Sequence, residues 1–174
     1  RDQPAVQREP RIADELMTSA QMEPGSDARF YLSPAVSSER MLANMRSALE
    51  RGLPEVTLCK AHGLTLSVAG GGPSLTDTYQ QMDGVIAGVN GSLKFLLDRE
   101  IKEGASYICG IMDAGEHIAD MIVADLRVRY YVASVVHPSV FDKLSGCDVR
   151  LWHISPESTE DPVGVEALLN EFHP

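Results

Sequence analysis

The sequence contains few of the features that mark secreted or membrane proteins. Its 174 residues include three cysteines, Cys59, Cys109 and Cys147, and none of them forms a Cys-x-x-Cys pair. Scattered thiols in an odd number argue against a disulfide framework and favour reduced cysteines. No apolar run approaches the roughly 18 residues of a membrane-spanning helix, and no secretory signal is visible. We therefore expect a cytoplasmic protein.

Basic residues are also scarce. The chain has 15 lysines and arginines against 25 acidic side chains, which gives a formal net charge of −10. An acidic surface repels the phosphates of nucleic acids and of anionic membranes, so we expect neither as a partner. A phosphorylated ligand would need local attraction, from backbone amides or from a metal ion.

Several catalytic signatures are missing. The chain has no Gly-x-Ser-x-Gly nucleophile elbow and no His-x-x-x-His spacing, so we expect its five histidines to form no transition-metal site. His62 and His173 lack a supporting pattern, and His153 is a minor candidate for function. Trp152, beside it, is expected in the core.

A glycine-rich loop is the most informative feature that is present. The apolar run Leu64–Ala69 predicts a buried strand, and it is followed directly by Gly70, Gly71, Gly72, Pro73 and Ser74. Glycines can fold back tightly and leave their N–H groups bare, and proline suits the first turn of a helix. A strand, a glycine turn and a helix start together favour binding of a phosphate. The alternative is a sharp turn without a ligand, since the loop matches neither the P-loop nor the dinucleotide fingerprint.

The remaining pattern predicts an α/β fold. Residues 1–53 are interpreted as an N-terminal arm followed by a helix from residue 38 to about residue 51, and residues 54–174 as the main domain. In that domain, short apolar runs alternate with amphipathic stretches, which predicts a parallel sheet covered by helices on both faces. The predicted strands are Leu64–Ala69, Gly84–Val89, Tyr107–Met112, Val128–Val136 and Val149–Ile154, and the helices between them are Ser74–Gln81, Ser92–Ile101, Glu116–Leu126 and Ser139–Leu144.

The early helix has an apolar face of methionine and leucine side chains: Met41, Leu42, Met45 and Leu49. That face either covers the sheet or pairs with a second subunit in a homodimer.

Ligands of parallel sheets lie beyond the carboxyl ends of the strands, where three further side chains are candidates. Asn90 follows the second strand and suits a ribose, a base edge or a phosphate. Asp113 follows the third strand and is suited to holding a divalent metal or acting as a base. His137 precedes a proline after the fourth strand and is a candidate acid/base. Each of the three has an alternative role as a helix cap or a hydrogen-bonded loop residue. Glu116 and His117 fit the first turn of a helix.

These segments together resemble a known family. The order VAGGGPSL, DGVIAGVNGSLKFLLDREI, YICGIMDA and YYVASVVHPSVFDKLSGCDVRLWH, over about residues 64–154, resembles the archaeal 6-hydroxymethylpterin diphosphokinase-like family. That family is related to the motility accessory factors proposed to transfer nonulosonic acids to flagellin. The glycine loop with Pro-Ser-Leu and the strand ending in asparagine also resemble bacterial sialyltransferases that use CMP-sugars.

The resemblance implies a Rossmann-like fold and a nucleotide-binding transferase. A diphosphate would pass from ATP to a hydroxymethyl acceptor with Mg2+, the nucleotide being held by Gly70–Ser74 with Asn90 and Asp113 nearby. In this interpretation Asp113 binds the metal, and Asp113 and His137 are the catalytic residues. A glycosyltransferase that uses a CMP-sugar, with His137 as general acid, is the first alternative, and a non-catalytic nucleotide-binding module is the second. Family members continue into a second glycine-rich segment after the Trp-His strand, so we expect this chain to be a fragment of a longer protein.

Overall fold

The structure is a computed structural model that describes residues 36–57, 63–99, 105–153 and 162–173. The predictions for the N-terminal arm before residue 36 lie outside these ranges. So do those for Cys59 and His62, and for the element ends at Ile101 and Ile154.

Five parallel strands form one sheet, as the alternation of apolar runs predicts. Their order is sequential, β1-β2-β3-β4-β5, and every neighbouring pair is parallel. The Rossmann-like α/β class is therefore confirmed at the level of a five-stranded parallel sheet flanked by helices. The strands are β1 (Leu66–Ala69), β2 (Val85–Val89), β3 (Tyr107–Ile111), β4 (Val128–Ala133) and β5 (Asp148–Trp152).

Six described helices accompany the sheet, and several are shorter than predicted. They are α1 (Ser38–Leu49), α2 (Leu75–Thr78), α3 (Ser92–Asp98), α4 (Ile118–Met121), α5 (Pro138–Lys143) and α6 (Pro162–Phe172), with a 3-10 turn at Tyr79–Gln81.

Helix α4 is shorter than the predicted Glu116–Leu126 because the chain after Met121 bonds elsewhere. The buried Tyr130 hydroxyl donates to the Val123 carbonyl at 2.6 Å and accepts the Asp125 N–H at 2.9 Å. These bonds hold residues 122–125 in a loop without regular secondary structure.

The two faces of the sheet are buried unequally. The face that contains Ile86, Cys109 and Tyr130 has no exposed surface at these side chains, and its residues join core clusters with side chains from all six described helices. On the other face, Leu66 and Val68 are 55% and 63% exposed. The expectation that helices cover both faces is not met by the helices described here. Sequential strand order explains this, because right-handed crossovers then all pass on the same side of the sheet.

The apolar face of α1 packs into the core of its own chain. Met45 and Ala48 are fully buried, and Met41 and Leu49 are nearly so. Asn44, also buried, donates to the Val135 carbonyl at 2.9 Å, which ties the helix to the loop after β4. Of the two roles considered for this face, the described structure therefore shows the covering role.

A short segment extends the sheet beyond β5. The Val56 N–H donates to the Leu151 carbonyl at 2.8 Å, and the Leu151 N–H donates to the Pro54 carbonyl at 2.9 Å. Glu55 therefore pairs with Leu151 in parallel register at this edge. None of the helices in the described ranges is long and apolar enough to cross a membrane.

Gly88 is required by packing between β2 and α3. A Cβ at this position would lie 2.8 Å from the Leu93 Cα and 2.9 Å from the Leu93 nitrogen, whereas a Cβ at Gly110 of β3 would meet nothing within 4 Å. We predict that Gly88→Ala lowers the free energy of unfolding by about 1–3 kcal/mol, the usual cost of overpacking. Gly110→Ala is the matched control and should cause no loss. Urea unfolding followed by circular dichroism measures both, and equal stabilities would contradict the packing described here.

Candidate functional site

The glycine loop connects β1 to α2 at the carboxyl edge of the sheet, and residues 70–74 are exposed. Its carbonyl groups are engaged, since Gly72, Pro73 and Ser74 accept from Leu75, Thr76 and Asp77 at 3.1–3.3 Å. In contrast, the N–H groups of Gly71 and Gly72 donate to no other group among the described residues. The N–H groups of Gly71 and Gly72 are therefore two backbone donors without a partner among the described residues, at an exposed strand end.

The backbone of this loop does not itself require glycine. None of Gly70, Gly71 and Gly72 adopts a positive φ, and a Cβ at Gly70 or Gly71 would meet nothing within 4 Å. The turn at this loop therefore forms without a positive φ at any of its three glycines. What their missing side chains provide is open space over the backbone, which permits close approach by another molecule.

The loop lines a cavity of about 750 Å³ together with the end of β2 and the start of α3. This is within the usual size range for a small-molecule site. The cavity brings together four of the residues singled out in the sequence, Gly71, Gly72, Pro73 and Asn90. Its other lining residues are Leu75, Thr76, Val89, Gly91, Ser92, Lys94, Phe95 and Met121. Gly70 and Ser74 flank this lining in the chain.

Asn90 is the least satisfied residue of the cavity. Its φ of 49° is the one positive value for a residue other than glycine among the described residues. Its side-chain Oδ1 is buried and has no hydrogen-bond partner in the described structure. The backbone N–H of Asn90 donates to the Gly110 carbonyl at 2.9 Å. The backbone is therefore fixed by a hydrogen bond, whereas the side-chain oxygen has none. Strained and unpaired groups concentrate at ligand sites, because the fold tolerates them only for another reason.

Two contributors to the site escaped the sequence interpretation. The buried Ser92 hydroxyl accepts the Val89 N–H at 2.9 Å and donates to the Ala69 carbonyl at 2.7 Å, which fixes the ends of β1 and β2 side by side. Lys94, two residues further on, is the one charged side chain among the described lining residues. It faces Asp98 at 3.4 Å across an exposed ion pair. The sequence Asn-Gly-Ser-Leu-Lys at a helix start is the signal that points to both residues.

Asp113 is not among the residues that line the cavity. Its Oδ1 accepts the Gly115 N–H at 2.8 Å, which closes a turn after β3 and resembles the local role considered as its alternative. The cavity lining in the described ranges contains no aspartate or glutamate. These residues therefore do not fit a magnesium ion held by protein carboxylates.

His137 also lies outside the cavity lining. It precedes Pro138 in an extended conformation, as predicted, and caps α5. Its Nε2 lies 3.0 Å from the Arg40 guanidinium and its Nδ1 lies 2.7 Å from the Ser139 hydroxyl. Nδ1 also lies 3.3 Å from the Ser139 backbone nitrogen, which is the contact through which the side chain caps the helix. Both ring nitrogens are thus occupied by neighbours, which is the structural alternative to an acid/base role.

The cysteines in the described ranges offer no activated nucleophile. Burial raises the pKa of the Cys109 thiol to about 12, and burial also raises the pKa of Cys147. Both therefore remain thiols at neutral pH, whereas nucleophilic cysteines need a lowered pKa.

Two of the five histidines lie close together in the described structure. His153, placed directly after β5, and His173, placed directly after α6, lie beside Glu55. One potential ligand atom from each of these three residues lies within 4.8 Å of the others. No sequence motif marks this group, because its members are separated by 98 and 20 positions. Trp152 was expected in the core. Its side chain is half-buried and packs against the hydrophobic core.

The comparisons with known proteins add no relative. Searches of protein-family models, of curated proteins and of solved structures found no match to this chain. The resemblance to the diphosphokinase-like family therefore stays a prediction that depends on the residues quoted for it.

Proposed function

We propose that this protein is a cytoplasmic nucleotide-binding transferase whose nucleotide occupies the cavity between the glycine loop and Asn90. The observation that carries this proposal is the combination of hydrogen-bonding groups around one cavity. The free N–H groups of Gly71 and Gly72 and the Lys94 ammonium are donors, and the buried Oδ1 of Asn90 is an acceptor.

The donor groups suit the phosphates. Free backbone N–H groups and an ammonium both stabilise an anion, and a local positive charge is needed on a chain of net charge −10. Helix α2 contributes little to this, because it is a single turn of four residues. The loop amides and Lys94 therefore provide most of the attraction for the phosphate groups.

The acceptor group suits the other part of a nucleotide. Oδ1 of Asn90 can only accept a hydrogen bond, so phosphate oxygens cannot satisfy it, whereas a ribose hydroxyl or a base amino group can. Donors for phosphate and an acceptor for sugar or base therefore lie in one cavity. This division of roles favours a nucleotide over inorganic phosphate alone.

For the reaction, we propose that the hydroxyl of a hydroxymethyl acceptor attacks the β-phosphorus of ATP, so that the diphosphate is transferred and AMP leaves; this proposal relies on the family resemblance. Positioning and charge neutralisation dominate phosphoryl transfer, and the described cavity residues are able to supply both. The family would add magnesium, which neutralises phosphate charge; no described lining residue offers it a carboxylate. Transfer from a CMP-sugar is the second candidate, because its cleavage needs no metal held by the protein.

Nucleotide preference separates these candidates. Thermal unfolding is measured with ATP, GTP or CMP, each with and without Mg2+. At a ligand concentration of 100 Kd we expect ATP to raise the Tm by about 5–10 °C, from the linkage free energy and the size of the chain. A shift with CMP alone would favour the glycosyltransferase. No shift with any nucleotide would refute nucleotide binding.

Gly71→Val tests the loop. A Cβ at this position meets no protein atom within 4 Å, so we expect an unchanged Tm without ligand; the valine should cover the bare amides and abolish the ligand-induced shift. Gly63→Val is the matched control, because Gly63 also has open space around its Cβ and precedes the opposite end of β1. The loop has no part in binding if both variants bind ATP equally well.

Lys94→Met tests the charge in the cavity. The Lys94–Asp98 pair is exposed, so its loss should barely change stability. Removing a charge-assisted bond to phosphate should weaken ATP binding about tenfold or more, as measured by calorimetry. Asp98→Asn is the matched control, because it breaks the same ion pair and keeps the ammonium. Equal weakening in both variants would contradict a direct role for Lys94.

Asn90→Gly tests the side chain without straining the backbone. Glycine adopts a positive φ freely and leaves no unpaired oxygen, so the free energy of unfolding should stay equal or rise by up to about 1 kcal/mol. ATP binding should weaken in the same variant. A loss of stability together with full ATP binding would show that Asn90 has a purely structural role.

A further inference from the structure

We propose that Glu55, His153 and His173 form a zinc-binding site, separate from the nucleotide cavity. The Glu55 Oε1 lies 2.8 Å from the His173 Nε2 and 3.4 Å from the His153 Nε2. All three atoms lie within 4.8 Å of one another. Two imidazole nitrogens and one carboxylate oxygen are a ligand set that zinc accepts, with a fourth position left for water.

The spacing of these atoms is close to what a tetrahedral ion requires. Zinc bonds of about 2.0–2.1 Å at tetrahedral angles place ligand atoms about 3.3 Å apart. The contact between Glu55 and His153 already has this length, and the contact between Glu55 and His173 is shorter. The remaining adjustment falls on His173, whose side chain is 49% exposed at the end of α6 and has room to turn.

His153 has the hydrogen bonding expected of a metal ligand. Its Nδ1 lies 3.1 Å from the hydroxyl of the fully buried Ser134. That bond fixes the ring and leaves the other nitrogen facing Glu55. The Nε2 is itself buried and has no hydrogen-bond partner among the described residues, although the carboxylate is near. Metal-binding histidines are characteristically held by a second-shell bond at the nitrogen that does not bind the metal.

Three separate elements hold the ligands in place. Glu55 is fixed by the two backbone bonds of its neighbours to Leu151 of β5. His173 follows α6, and its N–H donates to the Leu169 carbonyl at 2.9 Å. The position of α6 is itself secured by a bidentate pair between Arg46 and Glu171 at 2.8 and 3.0 Å. A bound ion would therefore tie α6 to the far edge of the sheet.

This site and the nucleotide cavity are independent. His153 follows β5 and Asn90 follows β2, three strands away in the same parallel sheet. Three interstrand spacings amount to about 14 Å. The competing explanation for the cluster is a simple ion pair between His173 and Glu55 at the surface, which would need neither His153 nor Ser134.

Zinc titration of the untagged full chain, stripped of metal with a chelator, tests the proposal. We expect one Zn2+ per chain by calorimetry, a rise in Tm with Zn2+, and visible absorption bands of tetrahedral Co2+ when cobalt replaces zinc. His153→Ala and His173→Ala should each weaken Zn2+ binding by about a hundredfold or more. Ser134→Ala, which removes only the second-shell bond, should weaken it about 10–100-fold.

His117→Ala is the matched control, because His117 is exposed and lies outside the cluster. This variant should bind Zn2+ as the unaltered chain does. The proposal is overturned if the unaltered chain binds no zinc, or if His173→Ala binds it with undiminished affinity. Circular dichroism checks that each variant is folded. The half-exposed His173 gives a valid test even if His153→Ala fails to fold.

Discussion

The order in which the strands join the sheet is the constraint on which the rest of the structure depends. Each strand lies beside its predecessor and parallel to it, so the described helices pack on one face and the carboxyl ends of all five strands share one edge. A doubly wound sheet has a switch point where its connections diverge, and ligands settle in that crevice. The order β1 to β5 contains no such reversal. A cavity must therefore be built by the loops themselves.

The glycine loop and the Asn90 turn build that cavity at one end of the sheet. Ser92 holds the ends of β1 and β2 together through a buried hydroxyl, so the two loops keep a fixed separation. A rigid frame with unpaired polar groups inside it is the usual arrangement of a binding site, because little ordering remains to be done when the ligand arrives. At the other end, Glu55 and His153 are held with comparable rigidity by backbone pairing and by Ser134.

The fold was largely predictable from the sequence, and the site only in part. The apolar runs located all five strands, because a buried parallel strand leaves a continuous apolar signature. They did not locate the end of α4, which depends on the contact of Tyr130 with Val123. Strand ends directed attention to Gly71, Gly72 and Asn90, which line one cavity in the described structure. The position of Asp113 at a strand end could not show that its carboxylate accepts the Gly115 N–H, since a carboxylate next to a turn suits a ligand contact and a local hydrogen bond equally well.

The cluster of Glu55, His153 and His173 could not be predicted from sequence patterns. Motifs for metals rely on ligands that share a helix or a loop, whereas Glu55, His153 and His173 meet only through the pairing of Glu55 with Leu151 and the packing of α6. Contacts of this kind are set by tertiary structure. The unequal burial of the sheet faces has the same origin, because it follows from strand order and not from the composition of any one strand.

The tolerance of the loop backbone for a side chain has a consequence for natural variants. Since a Cβ at Gly70 or Gly71 would meet no atom within 4 Å and neither residue has a positive φ, we expect the fold to tolerate an alanine at either position. Quality control in the cell recognises misfolded chains and would pass such a variant. A side chain at Gly71 would thus obstruct the cavity without reducing the amount of folded protein in the cell.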